Sequence, residues 1–199
     1  EIMPSLVGSE MCIRDSYPKE QIKIMETDSS EVVTQVVDHM VDVGFTGTVL
    51  EKKHCKYIPF YKDELAVIAP DTPEYRILKE QNRDDIDWIK RKPLILREEG
   101  SGTRKEAEKQ LKNAGIFMED LDIVASIANQ ETIKKSVKQG MGITVLSRLA
   151  AEDEDGLLIF PIPGADEGRD INLVYNKNYQ MTRSADRFIR IVKEVYDIE

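Results

Sequence analysis

Residues 93–104 constrain the fold more than any other segment, because an apolar strand pattern, a glycine-rich loop and a helix pattern follow one another there. This order places the free N–H groups of a helix N-terminus at the carboxyl end of a strand, where the helix dipole favours an anion. Gly102 allows the backbone to approach a ligand, and the hydroxyls of Ser101 and Thr103 can donate to it. A strand–helix turn with serine or threonine as N-cap is an equally good interpretation of the motif alone.

The composition favours one good hydrophobic core or two small ones, since 41% of the 199 residues are apolar. A net charge of −9, with acidic residues interspersed nearly throughout, argues against DNA binding by this chain itself. No apolar run reaches the roughly 18–20 residues that would cross a bilayer. The spacing of Cys12 and Cys55 is compatible with one disulfide bond between them, although reduced cysteines in a cytoplasmic protein fit better. His54 and Cys55 alone are too few ligands for a metal site, so we expect none.

Residues 1–16 show neither helical nor strand periodicity, and they lack the basic start and long apolar centre of a signal peptide. They resemble translated sequencing-adapter read-through. We therefore expect a non-native or disordered leader over residues 1–16, with the native sequence beginning near Tyr17. Cys12 would then not belong to the native chain.

The remaining chain alternates strand and helix patterns in two series. The first series has a strand at residues 22–26, a helix capped by Asp28, a short buried strand and a turn within residues 43–49, and a strand at residues 64–69. Its first strand, helix and second strand fall within about thirty residues, which predicts a parallel pair with a right-handed crossover.

The second series again alternates strands with helices, and two further strands and a final helix complete the chain. Its predicted helices lie at residues 84–90, 104–114 and 130–139, and its strands at residues 94–96, 123–127 and 143–146. Asn129 is the expected N-cap of the helix at residues 130–139. The closing strands are predicted at residues 157–163 and 171–175, and Ser184 is predicted to cap the final helix.

Two α/β series in one chain predict two lobes, with the strands before Pro70 and after Arg169 as the crossings between them. We assign residues 17–70 and 171–199 to lobe 1, which is incomplete, and residues 71–170 to lobe 2. Ligands of such sheets bind beyond the carboxyl ends of the strands, which predicts a binding cleft between the lobes.

Polar side chains recur at the strand ends and helix starts that point to this cleft: Thr27, Thr46, Ser101, Thr103 and Asn129. Each of them alone is more typical of a cap or a turn than of a ligand contact. Their recurrence at equivalent places in the topology favours a site for a small anion.

Four segments of the chain match a known family. They are Tyr17-Pro18 with residues 22–26, residues 42–46, residues 96–104, and residues 129–133 with 139–147. Together they resemble the effector-binding domain of LysR-type transcriptional regulators, and the resemblance covers residues 17–199. It implies an α/β fold of two Rossmann-like lobes joined by two crossover segments, as in type 2 periplasmic binding proteins.

The resemblance also implies an inducer, namely a small carboxylate, an amino-acid-like metabolite or an inorganic oxyanion. Family contacts with such an effector match Thr27 and Thr46 in the first lobe. In the second lobe they match Ser101 and Thr103, with Gly102 between them, and Asn129.

The expected partners of the full-length protein follow from the same resemblance. DNA would be bound only through an N-terminal winged helix-turn-helix. Compared with the family, we expect these 199 residues to lack that domain, the linker helix, and the first strand and most of the first helix of the effector-binding domain. The full-length protein is expected to be a cytoplasmic homodimer or homotetramer, with no cofactor and no membrane partner.

Two other classes of protein were weighed. A type 2 solute-binding protein of a transport system would share the fold, and an upstream signal peptide would identify it. An enzyme is not expected, because His39 and His54 are the only histidines and none follows Ser101 as a Ser…Asp/Glu…His order requires. The lysine of a P-loop is also absent.

We expect His39 on a helix surface, and Arg97 and Arg104 in surface ion pairs.

Overall fold

A computed structural model of the chain describes residues 22–81, 85–164 and 168–198, so the predicted leader at residues 1–16 lies outside the described part. The chain divides into two compact units. Unit 1 holds the described residues up to Lys62 and from Asp170, and unit 2 holds Asp63–Arg169. None of the helices within the described residues is long and apolar enough to cross a lipid bilayer.

The described residues contain six helices and eight strands, together with two short 3-10 turns at Asp87–Arg91 and Met118–Asp120. In chain order they are α1 (Ser29–Val37), β1 (Val43–Thr46), β2 (Cys55–Asp63), β3 (Leu65–Pro70), α2 (Pro73–Glu80), β4 (Pro93–Arg97), α3 (Gly102–Asn113), β5 (Asp122–Ile127), α4 (Gln130–Lys138), β6 (Ile143–Ser147), α5 (Leu149–Glu152), β7 (Leu157–Pro161), β8 (Arg169–Asn176) and α6 (Arg183–Val195).

Unit 1 contains a three-stranded sheet in the order β1-β8-β2, with β1 antiparallel to β8. The predicted cap of α1 is confirmed, because the Asp28 carboxylate accepts hydrogen bonds from the N–H groups of Ser30 (2.8 Å) and Glu31 (3.0 Å). The buried face of α1 presents Val33 and Val36. These valines belong to an apolar cluster that also contains residues of the sheet, which is how the helix gains its stability.

The predicted strand at residues 22–26 is wrong, since residues 22–28 have no regular secondary structure. Ile22, Ile24 and Met25 are exposed at 44–48%. Alternation predicts a strand only where a neighbour completes the hydrogen-bond ladder, and no described strand pairs with this segment. The predicted parallel pair therefore also fails, and the strand at residues 43–46 pairs antiparallel with β8 instead.

Two smaller predictions in unit 1 are corrected at helix ends. His39 lies beyond the end of α1 with a φ of +59°, and its ring centroid is 3.7 Å from that of Tyr179. The final helix is capped by Thr182, whose Oγ1 accepts from the N–H of Ala185 at 3.2 Å, and not by Ser184. The helix begins at Arg183, so its N-cap is the preceding residue, Thr182. From that position the hydroxyl oxygen reaches the N–H three positions further along the chain.

Unit 2 contains a five-stranded sheet in the order β5-β4-β6-β3-β7. Strand β4 is parallel to both β5 and β6, whereas β3 runs antiparallel to β6 and β7. Strand β3 is buried along its whole length inside this sheet, although the sequence pattern placed its residues in lobe 1. The helix predicted at residues 84–90 is the 3-10 turn Asp87–Arg91, and Asp84 lies outside the described residues.

Helices α3 and α4 cover opposite faces of this sheet. Leu94 and Leu96 of β4 belong to the apolar cluster that contains Ala107 and Leu111 of α3. The intervening Ile95 belongs to the other cluster, with Ile133 and Val137 of α4. This alternation assigns each β4 side chain to one helix or the other.

A buried ion pair lies where the chain enters and leaves unit 2. The guanidinium of Arg169 donates from Nε (2.9 Å) and Nη2 (2.8 Å) to Oδ2 of Asp63, and both side chains are 4% exposed. The Ser147 hydroxyl donates to the other carboxylate oxygen of Asp63. The last residue of β2 and the first residue of β8 are thereby joined to each other and to β6. Charges buried this deeply are tolerated only when they are paired and hydrogen-bonded.

A second ion cluster fastens α4 to the segment after α5. Glu154 accepts hydrogen bonds from Nζ of both Lys134 and Lys138, at 2.6 Å each. These two hydrogen bonds lower the pKa of Glu154 to about 2. Lys134 also contacts Glu131 at 2.7 Å, and its side chain is 8% exposed. The buried lysine therefore has a carboxylate on either side.

Candidate functional site

The carboxyl end of β4 leads through a tight loop into α3. The N–H of Ser101 donates to the carbonyl of Glu98 at 3.1 Å, which closes the loop. The side-chain oxygen of Ser101 caps α3 by accepting from the N–H of Arg104 at 3.4 Å. The first turn of α3 begins at Gly102, two residues before the predicted start, and contains no acidic residue. Its N-terminal partial positive charge is therefore available to an external anion.

The hydroxyl-bearing residues of this loop are inside the protein. Ser101 is 1% exposed and Thr103 is 0% exposed. An anion that reaches them is shielded from bulk water, and hydrogen bonds to it are strengthened in that environment. The structure thus places the predicted Ser101, Gly102 and Thr103 together on one helix start.

Two arginines fix the loop, and acidic side chains neutralise both of them. Arg97 donates from Nε and Nη2 to the two carboxylate oxygens of Glu98, at 2.9 Å each. Arg104 donates to Glu108 at 2.8 Å and to the carbonyl of Arg97 at 3.3 Å. The Ser126 hydroxyl also donates to that carbonyl, at 3.3 Å. The expected surface ion pair is wrong for Arg97, whose side chain is only 7% exposed because it ends a buried strand.

The start of α4 lies at the same edge of the sheet as the start of α3. Strands β4 and β5 are parallel, and their register shifts by one residue between Leu94 and Ile95. Beyond this shift Arg97 lies opposite Ile127, so both helices begin just beyond the ends of neighbouring parallel strands. Asn129 is the N-cap of α4, as predicted, and its Oδ1 accepts from the N–H (2.9 Å) and the Oγ1 (3.1 Å) of Thr132. Asn129 itself is exposed.

The other two predicted site residues belong to unit 1 and differ in their surroundings. Thr46 is the last residue of β1 and is 1% exposed, and its hydroxyl donates to the carbonyl of Thr48 at 2.9 Å. Thr27 is exposed in the irregular segment before α1, so it does not follow a strand as the sequence pattern indicated.

Sequence reasoning missed Gln130, the residue after the α4 cap. Its side chain is buried, at 7% exposure. It shares the sheet-facing row of α4 with Ile133, Lys134 and Val137. The helical spacing of these four positions was the available signal, but a glutamine next to an N-cap is usually interpreted as solvent-exposed.

The cysteine and histidine near the start of β2 show no sign of a metal centre. Within the described residues, no group of three or more His, Cys, Asp or Glu side chains gathers closely enough to hold a metal ion. Cys55 is a buried free thiol whose pKa is raised, chiefly by burial. It therefore packs as a small apolar residue.

The sheet of unit 2, with two helix starts and their polar residues beyond its parallel strands, is the architecture of a ligand-binding α/β domain. The family model for the LysR substrate binding domain matches residues 13–197. The chain belongs to the LysR substrate-binding domain family, as its sequence motifs indicated.

The chain is similar to curated proteins in sequence and to solved structures in fold. The uncharacterized HTH-type transcriptional regulator MJ0300 of Methanocaldococcus jannaschii is 28% identical over 197 residues, which are 98% of this chain and 64% of that protein. The structure of the Synechocystis PCC6803 CcmR regulatory domain in complex with 2-PG superposes with a TM-score of 0.84 at 21% identity, covering 98% of this chain and 92% of that one. The structure of the effector binding domain of QuiR in complex with shikimate superposes with a TM-score of 0.80 at 15% identity. This match covers 98% of this chain and 90% of that one.

These comparisons confirm the predicted fold class, a type 2 periplasmic-binding-protein-like α/β domain of the LysR type. They favour the regulator over the transport protein that was weighed beside it. The chain spans about half to two-thirds of the length of the curated relatives it matches.

Proposed function

We propose that this chain is the effector-sensing part of a DNA-binding transcriptional regulator and that its effector is a small anion. The observation that carries the proposal is the start of α3. Two buried hydroxyls, of Ser101 and Thr103, lie there on an acid-free helical turn just beyond a central parallel strand. Backbone N–H groups and hydroxyls at such a position bind anions without a dedicated cation.

The charges around the loop support a small anion with few charges. The guanidinium groups of Arg97 and Arg104 are each paired with a carboxylate of this chain. The effector's charge is therefore balanced mainly by the amides and hydroxyls at the start of α3, with Asn129 adding a polar side chain beside them. The contacts expected at Thr27 and Thr46 stay predictions from the sequence. The similar domains of CcmR and QuiR are in complex with 2-PG and with shikimate, which supports a small ligand for this chain as well.

We propose binding without catalysis at this site. Both histidines of the chain, His39 and His54, belong to unit 1, so unit 2 supplies no histidine base for Ser101. The effector then acts by shifting the populations of regulator conformations, since it binds one of them more tightly.

The proposed partners concern the full-length protein. An N-terminal winged helix-turn-helix would supply DNA binding, since the acidic chain itself, with a net charge of −9, is unsuited to it. A regulator of this kind works in the cytoplasm, and we propose a homodimer or homotetramer as its functional state. No membrane or cofactor takes part.

Small anions are expected to stabilise the chain against heat. A ligand at about one hundred times its Kd adds about 2.7 kcal/mol of stability, which raises the Tm by roughly 5–10 °C for a chain of this size. Differential scanning fluorimetry with sulfur oxyanions, carboxylates and amino acids measures this shift. Sodium chloride at matched ionic strength is the control. A complete panel that gives no shift beyond the chloride control contradicts the proposed function.

A further inference from the structure

Gln130 has a buried carbonyl oxygen with no hydrogen-bond partner. Its Oε1 is inaccessible to solvent, and none of the described residues donates to it. Native proteins pair the great majority of buried polar atoms, because an unpaired one has lost its hydrogen bonds to water without replacement. An apolar side chain of the same size would avoid this loss. Where such an oxygen lies at the edge of a candidate site, a bound ligand can supply the missing donor.

Gln130 lies at the start of α4, which is one of the two helix starts of the candidate site. It is the first residue of α4, one turn before Ile133 on the row that packs against Ile95 of β4. On the same face of the sheet, Arg97 lies two residues beyond Ile95, at the carboxyl end of the strand. Gln130 on α4 and Arg97 on β4 therefore lie at the same end of one apolar cluster. This end is the edge of the sheet beyond which α3 also begins.

The charges at this edge define what Gln130 can recognise. Arg97 is already engaged by both carboxylate oxygens of Glu98, which makes the pair electrically neutral. A side-chain carbonyl accepts hydrogen bonds and donates none. The matching group on a ligand is therefore a donor such as a hydroxyl or an amino group, and not a second carboxylate or a bare oxyanion.

We propose that Gln130 is a specificity-determining residue that accepts a hydrogen bond from a hydroxyl or amino substituent of the effector. This inference rests on the proposed function, because it assigns a second contact to the same anion site. It narrows the effector to hydroxy acids or amino acids. A bare inorganic oxyanion would leave the Gln130 carbonyl unpaired.

Matched ligand pairs test the proposal by isothermal titration calorimetry on the chain. Propionate is compared with lactate and alanine, and succinate with malate and aspartate. The wild-type chain is expected to bind the substituted acids at least about tenfold more tightly, since a site that hydrogen-bonds a substituent discriminates against ligands without it. The Gln130→Met variant keeps the side-chain volume and removes the hydrogen-bond acceptor. We therefore expect it to bind the substituted and unsubstituted acids with about equal affinity.

Gln110 provides the matched control. It is also buried with an unpartnered Oε1, but its Nε2 donates to Glu106 and it lies about 12 Å along α3 from the start of that helix. The Gln110→Met variant is expected to keep the wild-type preference. Unfolding without ligand gives a second readout. Gln130→Met is expected to raise the Tm by a few degrees, because it removes an unpaired buried carbonyl.

The outcomes separate this inference from the proposed function. If anions bind and the Gln130→Met variant has the same preference for substituted acids as the wild-type chain, the inference about Gln130 is wrong and the proposed function stands. The inference also fails by itself if the wild-type chain shows no preference, or if Gln130→Met lowers the Tm and leaves the preference intact. If no acid of either set binds, the proposed function fails and the inference fails with it.

Discussion

The Arg169→Met substitution is expected to lower the free energy of unfolding by about 3–5 kcal/mol, because it leaves the carboxylate of Asp63 buried without its cation. Both side chains are 4% exposed, and the two guanidinium nitrogens lie 2.8 and 2.9 Å from one carboxylate oxygen. The remaining hydrogen bond from Ser147 cannot compensate a full buried charge. Urea unfolding followed by circular dichroism measures the loss.

The neighbouring pair of Arg148 and Glu64 provides the control for this prediction. Nη1 of Arg148 lies 3.2 Å from Oε2 of Glu64, but the side chains of Arg148 and Glu64 are 51% and 56% exposed. Arg148→Met is therefore expected to cost less than about 1 kcal/mol. A double variant, Arg169→Met with Asp63→Leu, removes both buried charges and is expected to recover much of the lost stability. Equal losses for Arg169→Met and Arg148→Met would contradict the assignment of a buried, stability-determining pair.

The Thr103→Val substitution is expected to weaken effector binding by about 10–100-fold, which corresponds to the loss of one buried hydrogen bond to a charged ligand. Valine keeps the shape of threonine and removes the hydroxyl. Isothermal titration calorimetry, with the acid or oxyanion that gives the largest thermal shift, measures the change in Kd. Urea unfolding of the same variant shows whether the fold is retained.

Thr72 is the matched control for Thr103. It also precedes a helix, as the N-cap residue of α2, and its side chain makes no capping hydrogen bond. Thr72→Val is expected to leave the Kd within twofold of wild type. If Thr103 has only a structural role, Thr103→Val lowers the stability and leaves the Kd unchanged, and that result would contradict the proposed contact.

The elements of unit 2 could be predicted because their signals are local. Strand β4 has the apolar run Leu94–Leu96, and β6 is apolar except for Thr144 and Ser147, a pattern typical of strands buried on both faces. Asn129 caps α4 through a hydrogen bond to a residue only three positions away. Ser101 and the loop before α3 were predicted for the same reason. The information needed for each of these features lies within a dozen residues.

The larger errors and omissions concern features that depend on distant parts of the chain. Residues 22–26 alternate like a strand, but a strand also needs a neighbour that the local sequence cannot specify. Asp63 and Arg169 are separated by 106 positions, and nothing near either residue indicates their contact. Gln130 was overlooked because its burial depends on α4 packing over β4, not on its own polarity.

The position of the bound anion is the most direct test of the central claim, and two-dimensional NMR of the ¹⁵N-labelled chain measures it. The titrant is the anion that gives the largest thermal shift, with chloride at matched ionic strength as the reference. The largest amide shifts are predicted at Gly102, Thr103 and Arg104, with a second group at the start of α4. Unchanged amides at the start of α3, with the largest shifts elsewhere (such as α2, whose start carries Glu74), would contradict an anion site beyond β4.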